Sequence, residues 1–250
     1  MIQMIGWIWW LIVPVRKRMA IANYRRAFPE RSPAELRQTV GEMVWGYIEL
    51  AFGKRALVHG AEHIQRGGIC LAGHGGAWDL GLISAAEKIP TTIFVKTPTN
   101  PLVAWWITRL RKQANIELLP PSNSAVSAYR ALKRGRLVVF VQDQRYNTGI
   151  SVSFFGQPAW TSRGFAVMAT RTQVPTYGAW QWRDAKRGIH HIQIEPLPIE
   201  NRAPDAEEAI TQQTQLFYEE KIRTRPHSWL WLHNRWRPLR DTYEQSKRCT

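Results

Sequence analysis

The sequence predicts one α/β domain, with a central mixed, mostly parallel sheet flanked by helices and an N-terminal apolar helical segment ahead of it. Three observations carry that prediction. From Gly67-Gly68 onward, short apolar runs alternate with stretches of helical period. Across 250 residues no Ser/Gly-rich linker, internal repeat or low-complexity tract divides the chain. One stretch, ICLAGHGGAWDLG, turns from buried strand to helix through a pair of glycines.

Taken in order, residues 1–15 read MIQMIGWIWWLIVPV and are followed at once by Arg16, Lys17 and Arg18. The run is shorter than the ~20 residues that span a bilayer as a helix, and it lacks the small-residue cleavage site of a secretory leader. Trp7, Trp9 and Trp10 next to cations suit a segment lying in a membrane interface; the other reading is a core helix. Residues 16–250 form the domain proper, with a helical lead-in over 16–66 and an α/β core over 67–250. In the lead-in, Ser32-Pro33-Ala34-Glu35 combines a cap, a first-turn proline and a capping-box acid. Leu36, Val40, Met43, Val44 and Ile48 then mark an apolar stripe. Strands are expected over 69–72, 92–96, 116–119, 137–141, 176–180 and 191–194. Helices are expected from Trp78, over 122–134 with Gly135 as the stop, and over 204–225. In the last of these, early acids and late bases match the macrodipole. The tail SWLWLHNRW places Trp229, Leu232, His233 and Trp236 on one helical face.

Two features of composition narrow the partners. With 34 Lys+Arg against 19 Asp+Glu the formal charge is +15, and there are 13 Trp. The charge alone suits nucleic acid, an anionic membrane or an acidic protein. Aromatic residues beside cations recur at Trp105 and Trp106 with Arg109, Arg111 and Lys112, and no stacked-aromatic nucleic-acid motif stands out. An anionic membrane surface is therefore the expected partner, and nucleic acid is not. The two cysteines, Cys70 and Cys249, have no partners at metal-ligand spacing, so neither a metal nor a bound cofactor is expected.

The chemistry concentrates at His74. It stands at the carboxyl end of an expected strand, where open α/β sheets place their ligands, and Asp79 follows in the first turn of the next helix. A histidine braced by a carboxylate is the minimal general base. His190 and Glu195 show the same spacing without a glycine turn; in IHHIQIEPL they read as solvated strand positions.

Several segments resemble, in order, the bacterial lipid A lauroyl/myristoyl acyltransferases of the lysophospholipid acyltransferase superfamily. They are IANYRRAFPERSPAE, HGGAWD, TPTNPLVAWWITRLR, VFVQDQ, SVSFFGQPAWTSRG and HSWLWLHNRW. The resemblance covers nearly the whole chain. It implies acyl transfer from an acyl-carrier or coenzyme A thioester, as cosubstrate, to a hydroxyl of a lipid A-type glycolipid at the cytoplasmic face of the bacterial inner membrane. The alternatives are a different acceptor (a lysophospholipid, a phosphoinositide mannoside or an amino-acid lipid) or a non-catalytic basic membrane protein. By position the resemblance makes His74 the base, Asp79 its partner, and Arg109 or Arg111 the cation near the reacting centre. Asp143 and Gln144 match its strand-end pair, and Thr161 ends a G-x-x-A-x-T pattern that begins at Gly156. The chain departs from the family in having Asp79 where glutamate is usual, Ala77 where asparagine is common, and a short segment before His74.

A hydroxyl is a poor nucleophile, so its proton must be taken as it attacks the thioester. A neutral imidazole, ordinary pKa ~6.5, suits that task, and a carboxylate on its other nitrogen fixes the tautomer. The oxyanion needs donors, either backbone amides around Gly75 and Gly76 or an arginine. Trp78 and Lys96 are further expected substrate contacts, Lys96 as either a phosphate ligand or surface charge. Asp143 is either a substrate contact or a helix cap, and Thr161 is either a contact or a helix start. No cysteine or serine sits in a nucleophile-elbow setting, which favours direct attack over a covalent acyl-enzyme. Arg109, Arg111 and Lys112, with Arg130, Lys133, Arg134 and Arg136, are expected to steer an acidic acyl carrier protein and a phosphorylated acceptor.

Overall fold

The computed structural model describes residues 1–95, 100–119 and 124–237. Its centre is a seven-stranded sheet. The strands are β1 (Leu57–His59), β2 (Gly68–Ala72), β3 (Thr91–Phe94), β4 (Ile116–Leu119), β5 (Leu137–Val141), β8 (Thr176–Asp184) and β9 (Ile189–Pro196), in the spatial order β1-β9-β8-β2-β5-β3-β4. All neighbours are parallel except β8 and β9. The mixed, mostly parallel sheet is thus as expected. The hairpin β6 (Ile150–Phe154) and β7 (Gln157–Thr161), absent from the expected strands, stands apart as a second sheet. Its two-residue turn holds Phe155 and Gly156 at positive φ, as a tight hairpin requires.

Burial explains why the middle strands are continuous apolar runs. Ile69, Leu71 and Val138 face one core, with Phe165, Phe217 and the tail tryptophans. Cys70, Leu137 and Val139 face the other, with Leu80, Ile83 and Ile107. A parallel sheet covered on both faces offers no solvated side for polar alternation.

The helices follow their local signals. Asn100 caps α5 (Pro101–Gln113) by accepting the Leu102 and Val103 N–H groups, and Pro101 takes the first helical position. Helix α8 (Glu207–Thr224) carries Glu207 and Glu208 in its first turn and Lys221 and Arg223 in its last. Helix α4 (Trp78–Ala86) starts as expected; α6 (Ser124–Lys133) falls within the expected 122–134, and α7 (Gly164–Thr172) begins after Thr161 rather than at it. The lead-in divides at residues 28–32 into α2 (Lys17–Ala27) and α3 (Leu36–Ala51).

The N-terminal segment forms α1 (Ile2–Leu11), which packs along α3. The approach is backbone to backbone: a Cβ on Gly6 would lie 2.2 Å from the Arg37 carbonyl oxygen, and one on Gly41 2.3 Å from that of Ile2. Met4, Trp7, Ile8, Leu11, Ile12 and Val13 remain exposed, with the Trp7 ring under the Arg37 guanidinium of α3. No helix among the described residues is long and apolar enough to cross a membrane.

The tail departs from expectation. Beyond a single 3-10 turn, Pro226–Ser228, residues 229–237 are not helical. Trp229 instead makes an antiparallel bridge to Gly75. Trp229, Trp231 and Trp236 are all buried in the core, two of them edge to face at 4.6 Å. The spacing of Trp229, Leu232, His233 and Trp236, set by tertiary packing, imitates a helical stripe.

Candidate active site

Register decides the site. Ala72 and Val141 are paired as the last residues of the adjacent parallel strands β2 and β5. His74 lies two residues beyond one, Asp143 two beyond the other, so both emerge at the same end of the sheet. The Tyr218 hydroxyl clamps these strand ends, donating to the Ala72 carbonyl at 2.8 Å and accepting from the Gln142 N–H at 3.1 Å.

His74 Nδ1 is 2.8 Å from Asp143 Oδ1. The other oxygen, Oδ2, accepts the His74 backbone N–H and the Trp229 indole N–H, both at 2.8 Å. Burial pushes the fully enclosed Asp143 carboxyl up, but the imidazole and these hydrogen bonds outweigh it and hold the group below the usual carboxylate range. An ionised Asp143 accepts at Nδ1–H, which leaves Nε2 as the nitrogen able to take a proton.

The expected bracing of His74 by Asp79 is therefore corrected. Asp79 Oδ1 accepts from Arg111 at 2.7–2.8 Å, and Oδ2 accepts from the Tyr47 hydroxyl at 3.1 Å. Asp79 is fixed to the first turn of α4 and is aimed at α5 and α3 rather than at the imidazole. It still acts on His74 electrostatically. Burial lifts its carboxyl above the ordinary value, and Arg111 and Tyr47 pull it back.

His74 opens onto a groove of about 820 Å³ lined by Trp78, Asp79, Arg111, Trp106, Phe140 and Gln144 among others, within the usual range for ligand pockets. The Trp78 ring meets both side chains, edge-on to His74 at 5.2 Å and under the Arg111 guanidinium at 4.9 Å.

The remaining expected residues separate cleanly. Of the two arginines, Arg111 lies buried on the groove wall, while Arg109 is exposed on the outer side of α5 beside Trp105 and Lys112. Gly75 and Gly76 shape the turn, Gly76 with φ +53, but their amides are taken: Gly75 donates to Gly73 and Gly76 to Ser228. They are not free oxyanion donors, which leaves the arginine. Asp143 neither caps a helix nor reaches the groove. Thr161 ends β7 instead of starting a helix; fully buried, it accepts from Arg235 at 2.6 Å. Lys96 lies outside the described residues. Within the basic clusters, Arg134 and Arg136 both pair with Glu117, and Arg130, Lys133 and Lys112 are exposed.

His190 is also corrected. It is buried, not solvated, and its Nε2 lies 2.6 Å from Glu49 Oε2, whereas Glu195 pairs with Lys221 on the opposite face of β9.

Sequence reasoning did not point to Tyr47, Trp229 or Arg235. Arg235 is fully buried, donating to Trp160, Thr161 and Gln215, and its charge acts on Asp143. The density of tryptophan in the tail was the available signal for Trp229.

With that geometry in view, the family described as bacterial lipid A biosynthesis acyltransferase matches residues 1–238. No curated protein matches the chain. Among solved structures, the 1-acyl-sn-glycerophosphate (LPA) acyltransferase PlsC from Thermotoga maritima is similar at 17% identity and a TM-score of 0.40, over 90% of this chain and 95% of that one.

Proposed function

The chain belongs to the bacterial lipid A biosynthesis acyltransferase family, and from that premise we propose that it transfers a fatty acyl chain from a carrier thioester to a hydroxyl of a lipid A-type glycolipid, with His74 as the base. The observation that carries the reading is the His74–Asp143 hydrogen bond at the edge of an apolar groove. His74 Nε2 takes the hydroxyl proton as the oxygen attacks the thioester carbonyl. Asp143 stabilises the imidazolium without itself taking the proton. The tetrahedral oxyanion forms near Arg111, whose position is set by Asp79 and Tyr47. Collapse expels the thiolate, which receives the proton from the imidazolium, so the base is regenerated. Gln144 and Trp78 on the groove wall contact substrate.

The exposed apolar face of α1 and the cations of α5 suit an anionic membrane surface. We place the enzyme at the cytoplasmic face of the inner membrane, with acyl carrier protein as donor partner. The test presents purified protein with acyl-carrier and acyl-coenzyme A thioesters of several chain lengths and a panel of lipid acceptors. The expected product is a glycolipid heavier by one acyl group, formed faster from the carrier protein donor. Transfer only to a lysophospholipid overturns the acceptor, and neither transfer nor donor hydrolysis overturns the enzyme reading.

A further inference from the structure

Resting on that reading, we propose that Trp229 is a positioning residue for the reaction, its indole N–H fixing the Asp143 carboxylate so that one oxygen is reserved for the His74 imidazole. Asp143 has two oxygens and three donors. Oδ2 is filled by the Trp229 Nε1–H and the His74 backbone N–H, and only Oδ1 remains for Nδ1. A carboxylate held by two fixed donors cannot rotate away from the ring, and it shares its charge with them. The indole is itself immobilised. It is 1% exposed, it lies against Phe154, Trp231 and Trp236, and its backbone bridges Gly75 in the turn that follows His74. The adjoining chain ties the same loop: Gly76 donates to Ser228, and Leu230 donates to the His74 carbonyl. The C-terminal tail thus grips the base from its side chain and its backbone together. The other ionisable groups acting on the pair are Asp79 on α4, Tyr218 on α8, and His233 and Arg235 in the tail.

Two replacements separate positioning from packing. Trp229→Phe removes the donor and part of the ring. Replacement by β-(3-benzothienyl)alanine keeps the ring size and puts sulfur where the N–H was. Both are expected to lower kcat by about 10–100-fold, the scale of loss when a partner that orients a metal-site ligand is removed, with KM within about twofold. Withdrawing a donor leaves more charge on Asp143 for the imidazolium, so the acidic limb of kcat/KM moves to higher pH by about half a unit. The readout independent of turnover is the downfield Nδ1–H proton resonance of His74, identified by its loss in His74→Gln; it is expected to move in both variants. A benzothienyl variant with the native kcat, acidic limb and proton resonance overturns the proposal and leaves Trp229 with packing alone. If the native protein transfers no acyl chain, the functional reading fails, and the resonance still decides the role of Trp229.

Discussion

Among the described residues two histidines lie within hydrogen-bond distance of a buried carboxylate, and the two pairs differ in what surrounds them. His74–Asp143 stands at the carboxyl ends of two central strands, and the imidazole lines a groove. His190–Glu49 joins β9 to α3, with the histidine side chain 2% exposed and its Nδ1 without a partner among the described residues. Glu49 also accepts from Lys54 and Arg183. Burial pushes that carboxyl up, but these cations and His190 outweigh it and bring it down to about 2. Burial pushes the His190 ring toward its neutral form. One pair has an open nitrogen and a carboxylate whose other oxygen is fixed. The other has a carboxylate crowded with cations and no route to a substrate. Access and hydrogen-bond allocation are thus what favour the first pair over the second as the proposed base.

The largest expected contrast is between the two histidines. His74→Gln should lower acyl transfer by about 10²–10⁴-fold with little change in melting temperature, while His190→Gln should leave turnover within a few-fold. Equal losses in both, measured as kcat at saturating donor, would dissolve the distinction.

The two aspartates come next. Asp143→Asn keeps the shape but offers Nδ1 a mixed donor and acceptor, so a loss of about 10²–10⁴-fold is expected. Asp79→Asn should cost less, and in kcat rather than KM, since it loosens Arg111 beside the oxyanion rather than the base. A larger loss in Asp79→Asn would restore the pairing first read from the sequence.

Stability reverses the ranking. Glu49→Gln leaves Arg183 and His190 buried without their anion, at a cost of about 3–5 kcal/mol. For a domain of this size that is roughly 10 °C in melting temperature. The loss should shrink under acid. The native carboxyl at about 2 lies below the ordinary 4.5, so its contribution is complete above 4.5 and vanishes as pH falls toward 2.

A second stability effect concerns His233, which burial pushes down from 6.5 to about 4. Its unfolded form takes up a proton first, so stability is lost as pH falls from 6.5 toward 4. His233→Gln should flatten that part of a melting-temperature profile, and an unchanged slope would place the titration elsewhere.

Much of this was legible in the chain. The apolar runs at 69–72 and 137–141 mark strands because a sheet buried on both faces needs unbroken apolar sequence. The glycine turn after His74 and the early start of α4 were equally visible. The hairpin at 150–161 was not, because its half-exposed strands carry serine, glutamine and proline in place of an apolar run. The pairing of Arg111 with Asp79 escaped because the two lie 32 residues apart.

The sequence by itself determined the strand carrying His74, the turn that ends it, and the cations and aromatic residues around the groove, since these are local matters of periodicity and turn chemistry. Only the tertiary structure decided which acid serves the imidazole. Parallel strands distant in sequence choose their register through the packed cores on both faces of the sheet. That register, with Trp229 returning from the tail, put Asp143 rather than Asp79 on Nδ1.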